Sequence, residues 1–257
     1  MKKEELNIFF RNAKASHQKI ACLTAYDYPS ARLLDETDID LILVGDSLGM
    51  VVLGHPDTTK VTLGDIEHHL RAVRRGVSKS IVLADLPAGS ANTVELAVNS
   101  SVSLQSAGAD MVKLEGAHDD IIRAIVAAGV PVVAHIGMLC QQILVEGKYR
   151  IKGKSPTEAE RLLKEAHLVE EAGASAVVLE LITAPLAQRI TEELTIPTIG
   201  IGSGLHCDGQ ILVLSDLLGL QPWFRPSFVK PKADLATSFK QAVTEYIREV
   251  KQHEQQP

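Results

Sequence analysis

Aromatic residues make up only 4% of the 257-residue chain, so its core has to be built from Val, Ile, Leu and Ala. Those side chains fill parallel sheets covered by helices on both faces, which tilts the composition towards an α/β fold. Cysteine is scarce too. Cys22, Cys140 and Cys207 are odd in number, far apart and never in C-x-x-C spacing, which argues against a disulfide framework or a thiolate zinc site and fits a reducing cytoplasm. Excess positive charge is missing: 26 Lys and Arg stand against 32 Asp and Glu, a formal net charge of -6. A general affinity for nucleic acid or an anionic membrane is therefore not expected, and any anionic ligand must be met by local cations. No apolar run approaches the roughly 18 residues of a membrane span. Met1-Lys-Lys-Glu-Glu-Leu6 has no long apolar stretch behind it, so no leader is expected either.

What is present is a globular balance, 46% hydrophobic and 23% charged, which excludes a disordered or fibrous chain. Short Val/Ile/Leu-rich runs alternate with longer amphipathic stretches throughout. The runs at 19–25, 41–45, 80–84, 111–115, 131–136, 176–181, 197–201 and 210–214 read as strands. Eight of them are what a closed (β/α)8 TIM barrel needs, and about 250 residues is its usual single-domain length. One barrel domain over 1–257 with a terminal helix near 233–250 accounts for the chain, although an open doubly wound sheet would show the same alternation. Helices are expected at 62–75, 93–107, 119–128 and 156–172, with Gly76, Gly108, Gly129 and Gly173 as closers. Ser155-Pro156 with Glu158 reads as a capping box. The connections at 47–61 and 137–154 are long for βα loops, and in a barrel such loops lie at the catalytic face.

The acids carry the chemical signal. Asp46, Asp85, Glu115 and Glu180 each follow an apolar strand, and in a barrel those carboxyl ends converge on one face. Gathered there, they need a balancing cation or proton, and a hard divalent ion such as Mg2+ suits oxygen ligands. One such Asp alone would be as well explained as a helix N-cap. Lys113 lies two residues before Glu115, hence on the same strand face, and the two could form a plain buried ion pair or serve a metal and an anionic substrate. His135 also ends a strand, where a structural hydrogen bond and a catalytic role are both open. Gly200–Gly204 could cradle an anion or simply turn. The basic loop Lys148, Arg150, Lys152, Lys154 reads as a solvated face or a contact for a carboxylate-bearing ligand. Nothing nearby lowers the pKa of Cys140, so it reads as inert.

Thr24-Ala-Tyr-Asp27, Leu43-Val-Gly-Asp-Ser-Leu-Gly-Met50, Ala84-Asp-Leu-Pro87, Met111-Val-Lys-Leu-Glu-Gly116, Ile199-Gly-Ile-Gly202 and Asp208-Gly-Gln-Ile-Leu-Val213 together resemble the ketopantoate hydroxymethyltransferase family, within the phosphoenolpyruvate mutase and isocitrate lyase superfamily. The resemblance implies a magnesium-dependent (β/α)8 enzyme, usually a decameric homo-oligomer. Its reaction passes hydroxymethyl from 5,10-methylenetetrahydrofolate to 3-methyl-2-oxobutanoate through an enolate, giving ketopantoate for pantothenate synthesis. By motif it implies Asp46, Asp85 and Glu115 at the metal; Asp46, Ser47, Asp85, Lys113 and His135 around the oxo acid; and Glu180 as the base. Relatives usually carry Pro at the place of Cys140, a Gly-Gly-Tyr-Lys-like run at Glu146–Arg150, Pro at Ala184, and His at Ser215. Those departures spare every acid and fall where a lid and a folate pocket are expected. A carbon–carbon lyase or mutase of the same superfamily is the alternative, and Cys140 lacks the surroundings such a lyase's cysteine loop would have.

Overall fold

A computed structural model describes residues 3–253. In chain order the elements are α1 (Lys3–Ser16), β1 (Ile20–Thr24), α2 (Tyr28–Asp35), β2 (Leu41–Val44), α3 (Leu48–Val51), α4 (Leu63–Gly76), β3 (Ile81–Asp85), α5 (Val94–Ala107), β4 (Met111–Glu115) and α6 (Asp119–Ala127). They continue with β5 (Val132–Gly137), a 3-10 turn (Cys140–Gln142), α7 (Ile143–Glu146), α8 (Pro156–Glu171), β6 (Ala176–Glu180), α9 (Ala184–Glu193), β7 (Thr198–Ile201), β8 (Gly209–Leu212), α10 (Leu214–Leu217) and α11 (Leu235–His253). The eight strands are parallel neighbours in sequence order and close into a barrel, which excludes the open sheet. Each strand lies within two residues of its expected place.

Because side chains alternate across a strand, every second residue points inward. Ile20 and Cys22, Leu41 and Leu43, Ile81 and Leu83, Met111, Val133, Ala176 and Val178, Ile199 and Ile211 form the apolar interior. Nothing in the strand pattern shows how its lower end is closed. Helix α1 does this: Leu6, Phe10 and Ala13, spaced one helical turn apart, are buried in the same cluster. Burying a Leu or Phe stabilises by about 1.5–3 kcal/mol each, so the plug is a substantial part of the core. Lys14 anchors it through hydrogen bonds to the Thr191 carbonyl and Asp208.

Helix punctuation partly follows the expected residues. Gly108 is a left-handed C-cap, and Gly129 and Gly173 also have positive φ. Gly76 instead stays inside α4. Ser155 caps α8 by accepting from the Glu158 amide, but the Glu158 carboxylate turns to the Gly153 and Lys154 amides, so the expected box is only half made. The reciprocal box belongs to Thr62 and Asp65 at α4.

The chain divides into two compact units, Met1–Ile211 and Leu212–Pro257. The second contains α10 and α11; within it the Lys232 and Leu235 amides donate to the Leu217 and Leu218 carbonyls. On α11, Phe239, Val243, Tyr246, Ile247 and Val250 form an exposed apolar stripe. No described helix is long and apolar enough to cross a membrane.

Candidate active site

The inward rows do not end in apolar residues. Continuing 81–83 gives Asp85, 111 gives Lys113 and Glu115, 133 gives His135, and 176–178 gives Glu180, so the alternation that fills the core also stacks ionisable groups on its upper end. Asp46 follows Gly45, the inward residue of the β2 row. A Cβ on Gly45 would stand 3.2 Å from Asp85 Oδ2, so glycine here makes room for that carboxylate. Asp46, Asp85, Lys113, Glu115 and His135 are all buried.

None of the four acids is a helix N-cap. Among the described residues the side-chain caps are Asp27, Thr62, Thr93, Ser155 and, at α11, Asp234, and Asp46, Asp85, Glu115 and Glu180 instead bond within the cluster. Asp85 Oδ1 accepts from Lys113 Nζ at 2.5 Å and its Oδ2 from the Asp46 amide at 2.8 Å. Burial opposes charge on Lys113, but Asp85, Asp46 and Glu115 surround it and hold its pKa above the ordinary lysine range. Asp46 is pushed the other way: burial and the adjacent Asp85 raise its pKa well above the usual carboxylate value. Glu115 meets burial as well, yet His135, Lys113 and the Gln141 amide outweigh it and keep its pKa low.

His135 stands between two carboxylates. Its Nδ1 is 3.4 Å from Glu115 Oε1 and its Nε2 is 3.4 Å from Glu180 Oε2, close enough for charge attraction but outside hydrogen-bond geometry. Glu180 keeps 17% of its side-chain surface open, so of the acids it faces the barrel mouth. Burial raises its pKa, with His135 opposing. Its Oε1 accepts from the Cys140 thiol at 3.3 Å. Burial and Glu180 push that thiol's pKa up, which agrees with an inert cysteine.

Both long loops reach this end of the barrel. In the first, Ser47 Oγ lies 2.8 Å from Tyr26 Oη, a buried phenol that the sequence reading left unassigned although it lies in the Thr24–Asp27 motif. In the second, Gln141 donates from its side chain to Asp46 Oδ2 and the Leu86 carbonyl, and from its backbone to Glu115 Oε2. No sequence signal marks Gln141. The loop then returns to β6: Lys152 bridges Ile182, the Lys152 amide donates to Leu181, and buried Lys152 Nζ pairs with Glu146. Arg150 pairs with Glu146 and Glu158, so part of the basic loop is spent on internal ion pairs.

Among the described residues, no three His, Cys, Asp or Glu side chains already surround a point that could hold a metal ion. Protein donors hold the three candidate metal acids instead: Lys113 on Asp85, and Gln141 on both Asp46 and Glu115. The donor chemistry nevertheless fits a hard divalent cation. Four carboxylates share one end of the barrel with a single lysine and a histidine, and the Gln141 amide takes Asp46 Oδ2 rather than Oδ1.

The same fold recurs in proteins of known type. A 2,3-dimethylmalate lyase of the PEP mutase/isocitrate lyase superfamily superposes with a TM-score of 0.62 at 16% identity, over 96% of this chain and 88% of that one. A phosphonopyruvate hydrolase in complex with oxalate and Mg++ gives a TM-score of 0.65 at 14% identity, over 98% and 88%. At those identities the likeness is one of fold. Sequence carries more. The 3-methyl-2-oxobutanoate hydroxymethyltransferase of Syntrophus aciditrophicus (strain SB) is 49% identical over 245 residues, covering 94% of this chain and 90% of the relative. The profile of the family described as ketopantoate hydroxymethyltransferase matches residues 7–255, almost the whole described chain, and every acid of the buried cluster lies inside that match: the chain belongs to the ketopantoate hydroxymethyltransferase family.

Proposed function

We propose that the chain transfers a hydroxymethyl unit from 5,10-methylenetetrahydrofolate to 3-methyl-2-oxobutanoate, giving 2-dehydropantoate for pantothenate synthesis. The observation that carries this reading is Glu180 at the mouth of a buried carboxylate cluster in a chain 49% identical to a relative named for that reaction. Asp46 and Asp85 would hold Mg2+, with Glu115 as the third acid, directly or through water. Bound there, the cation supplies Lewis-acid polarisation of the 2-oxo group, which acidifies the C3 proton.

The side chains do the rest. Lys113 adds a fixed positive charge for an anionic oxo acid, and Ser47, held by Tyr26, offers a hydroxyl near the carboxylate end of that substrate. Glu180, destabilised as an anion by burial, takes the C3 proton, and His135 lies beside it as a polar neighbour that eases its ionisation. The enolate carbon attacks the methylene carbon of the folate. Water puts the new hydroxyl on that carbon as both of its C–N bonds break, and water's remaining proton and the C3 proton taken by Glu180 go to the two folate nitrogens, which leave as tetrahydrofolate. The 138–154 loop lies over the cluster through Cys140 and Gln141, a placement suited to shielding the enolate from solvent protons. We also propose a closed homo-oligomer, decameric by resemblance to the family, that buries the exposed stripe of α11.

The test is product formation from 3-methyl-2-oxobutanoate and methylenetetrahydrofolate after treatment with a chelator and after return of Mg2+. Ketopantoate only in the presence of the metal is expected. Turnover indifferent to chelation removes the metal from the reading, and absence of product with Mg2+ present removes the transferase.

A further inference from the structure

Gln141 is an uncharged residue in a long loop, yet three of its hydrogen bonds run to the strands that carry the candidate metal acids. Its side-chain Nε2 donates to Asp46 Oδ2 at 2.8 Å and to the carbonyl of Leu86, the residue after Asp85, at 2.9 Å. Its backbone amide donates to Glu115 Oε2 at 3.0 Å. One residue from the β5–α8 connection thus joins the ends of β2, β3 and β4. A carboxylate has two oxygens and a nearly free terminal rotation, so an amide holding one of them fixes where the other points. An amide nitrogen cannot itself serve as a good ligand for a hard cation, and being neutral it adds no charge to the cluster.

We infer that Gln141 is the positioning residue of the metal site: it orients Asp46 and Glu115 from the outer side, so cation affinity depends on the 138–154 loop being seated. This rests on the metal reading given above and adds a residue that touches neither cation nor substrate. Groups that orient the ligands of a metal commonly change its affinity by about 10- to 100-fold when removed. The 3-10 turn Cys140–Gln142 carries the device. Its neighbour Cys140 donates its hydrogen bond to Glu180 and not to the three metal acids, so it provides a control on the same turn.

The experiment is titration of the metal-free full-length protein with Mn2+, followed by electron paramagnetic resonance of the free ion, with metal-free thermal midpoints recorded in parallel. Gln141→Leu keeps the bulk and removes the side-chain donors; it is expected to weaken Mn2+ binding by about tenfold or more. Gln141→Asn, which keeps the amide on a shorter arm, is expected to fall between it and wild type and also serves if the Leu variant does not fold. Cys140→Ala is expected to bind Mn2+ as wild type does. Equal Mn2+ affinity in wild type, Gln141→Leu and Gln141→Asn overturns the inference, while Asp85→Asn losing Mn2+ in the same series keeps the metal site itself. Wild-type protein that takes up no Mn2+ overturns both.

Discussion

Lys113 on β4 pairs with Asp85 on β3, not with Glu115 two residues along its own strand. The register makes Asp85 and Lys113 lateral neighbours, as it does Glu115 and His135. Neighbouring strands lie about 4.8 Å apart, while residues two apart on one strand are about 6.6 Å apart, so the cross-strand partner is nearer.

Removing that lysine leaves Asp85 buried beside Asp46 without a cation. Lys113→Met is expected to lower the stability of the metal-free protein by about 3–5 kcal/mol, the usual cost of breaking a buried pair from one side. Urea unfolding at pH 7 in the presence of a chelator measures it, and Mg2+ should return part of the loss by binding the folded state. A loss below about 1 kcal/mol would show that the pair is dispensable.

Glu180 must be ionised to accept a proton. Since burial raises its pKa above the ordinary 4.5, deuterium exchange at C3 of 3-methyl-2-oxobutanoate should fall away as pH drops through a value higher than a solvent-exposed glutamate would give. Glu180→Gln should lose this exchange while still binding the oxo acid. The stability effect has the opposite sense. The folded state holds the proton more tightly than the unfolded chain, so ionising Glu180 withdraws stability as pH rises from its unfolded to its folded pKa. Above that window the Gln variant should melt higher than wild type, and below it the two should converge. Exchange that survives in Glu180→Gln would transfer the base role to His135.

Asp35, far from the acid cluster, gives the reverse pH dependence. Burial works against its charge, but the amides of Ser78, Lys79 and Ser80 and the hydroxyls of Ser78 and Ser80 all donate to it, and its pKa falls below the ordinary range. Its stabilisation is complete above the unfolded pKa and disappears as pH falls through the folded one. Asp35→Asn should cost about 1.5–3 kcal/mol at pH 7 and little in strong acid, as read by denaturant midpoints at both pH values.

The α11 stripe gives the fourth prediction. Phe239 is 64% exposed and Tyr246 66% exposed in the single chain. Light scattering should report a large closed oligomer, and Phe239→Asp should shift it to smaller species. A wild-type monomer at working concentration would remove the assembly from the proposal.

The strands and the four acids were legible in the sequence because both follow from local pattern: a period of two sets the interior rows, and an acid just past an apolar run stands at the barrel's upper end. What escaped depends on contacts between distant segments. The Lys113–Asp85 pairing needs the inter-strand register. The α1 plug rests on Leu6, Phe10 and Ala13, too few apolar residues to announce a core helix in a polar N-terminal stretch. Gln141 is a polar residue in a loop, and only the folding of that loop over β2, β3 and β4 gives it a role. The half-made box at Ser155 shows a motif losing to context, since the open amides of Gly153 and Lys154 draw the Glu158 carboxylate away.

Closure of the ring sets first strand against last. There the Ile20 amide donates to the Asp208 carbonyl, and a Cβ on Gly209 would lie 2.6 Å from the Ile20 carbonyl, so only glycine lets the two ends meet. Every other strand pairing joins chain neighbours, and the ionisable arc from Asp46 to Glu180 is assembled wholly from these. Of the strand pairings, only the seam must bring together residues almost two hundred positions apart, the most entropically demanding pairing in the barrel. Chain assembly and chemistry thus have separate points of failure: a side chain at position 209 would burden ring closure, while the acids, on consecutive strands elsewhere on the circumference, could already have found one another.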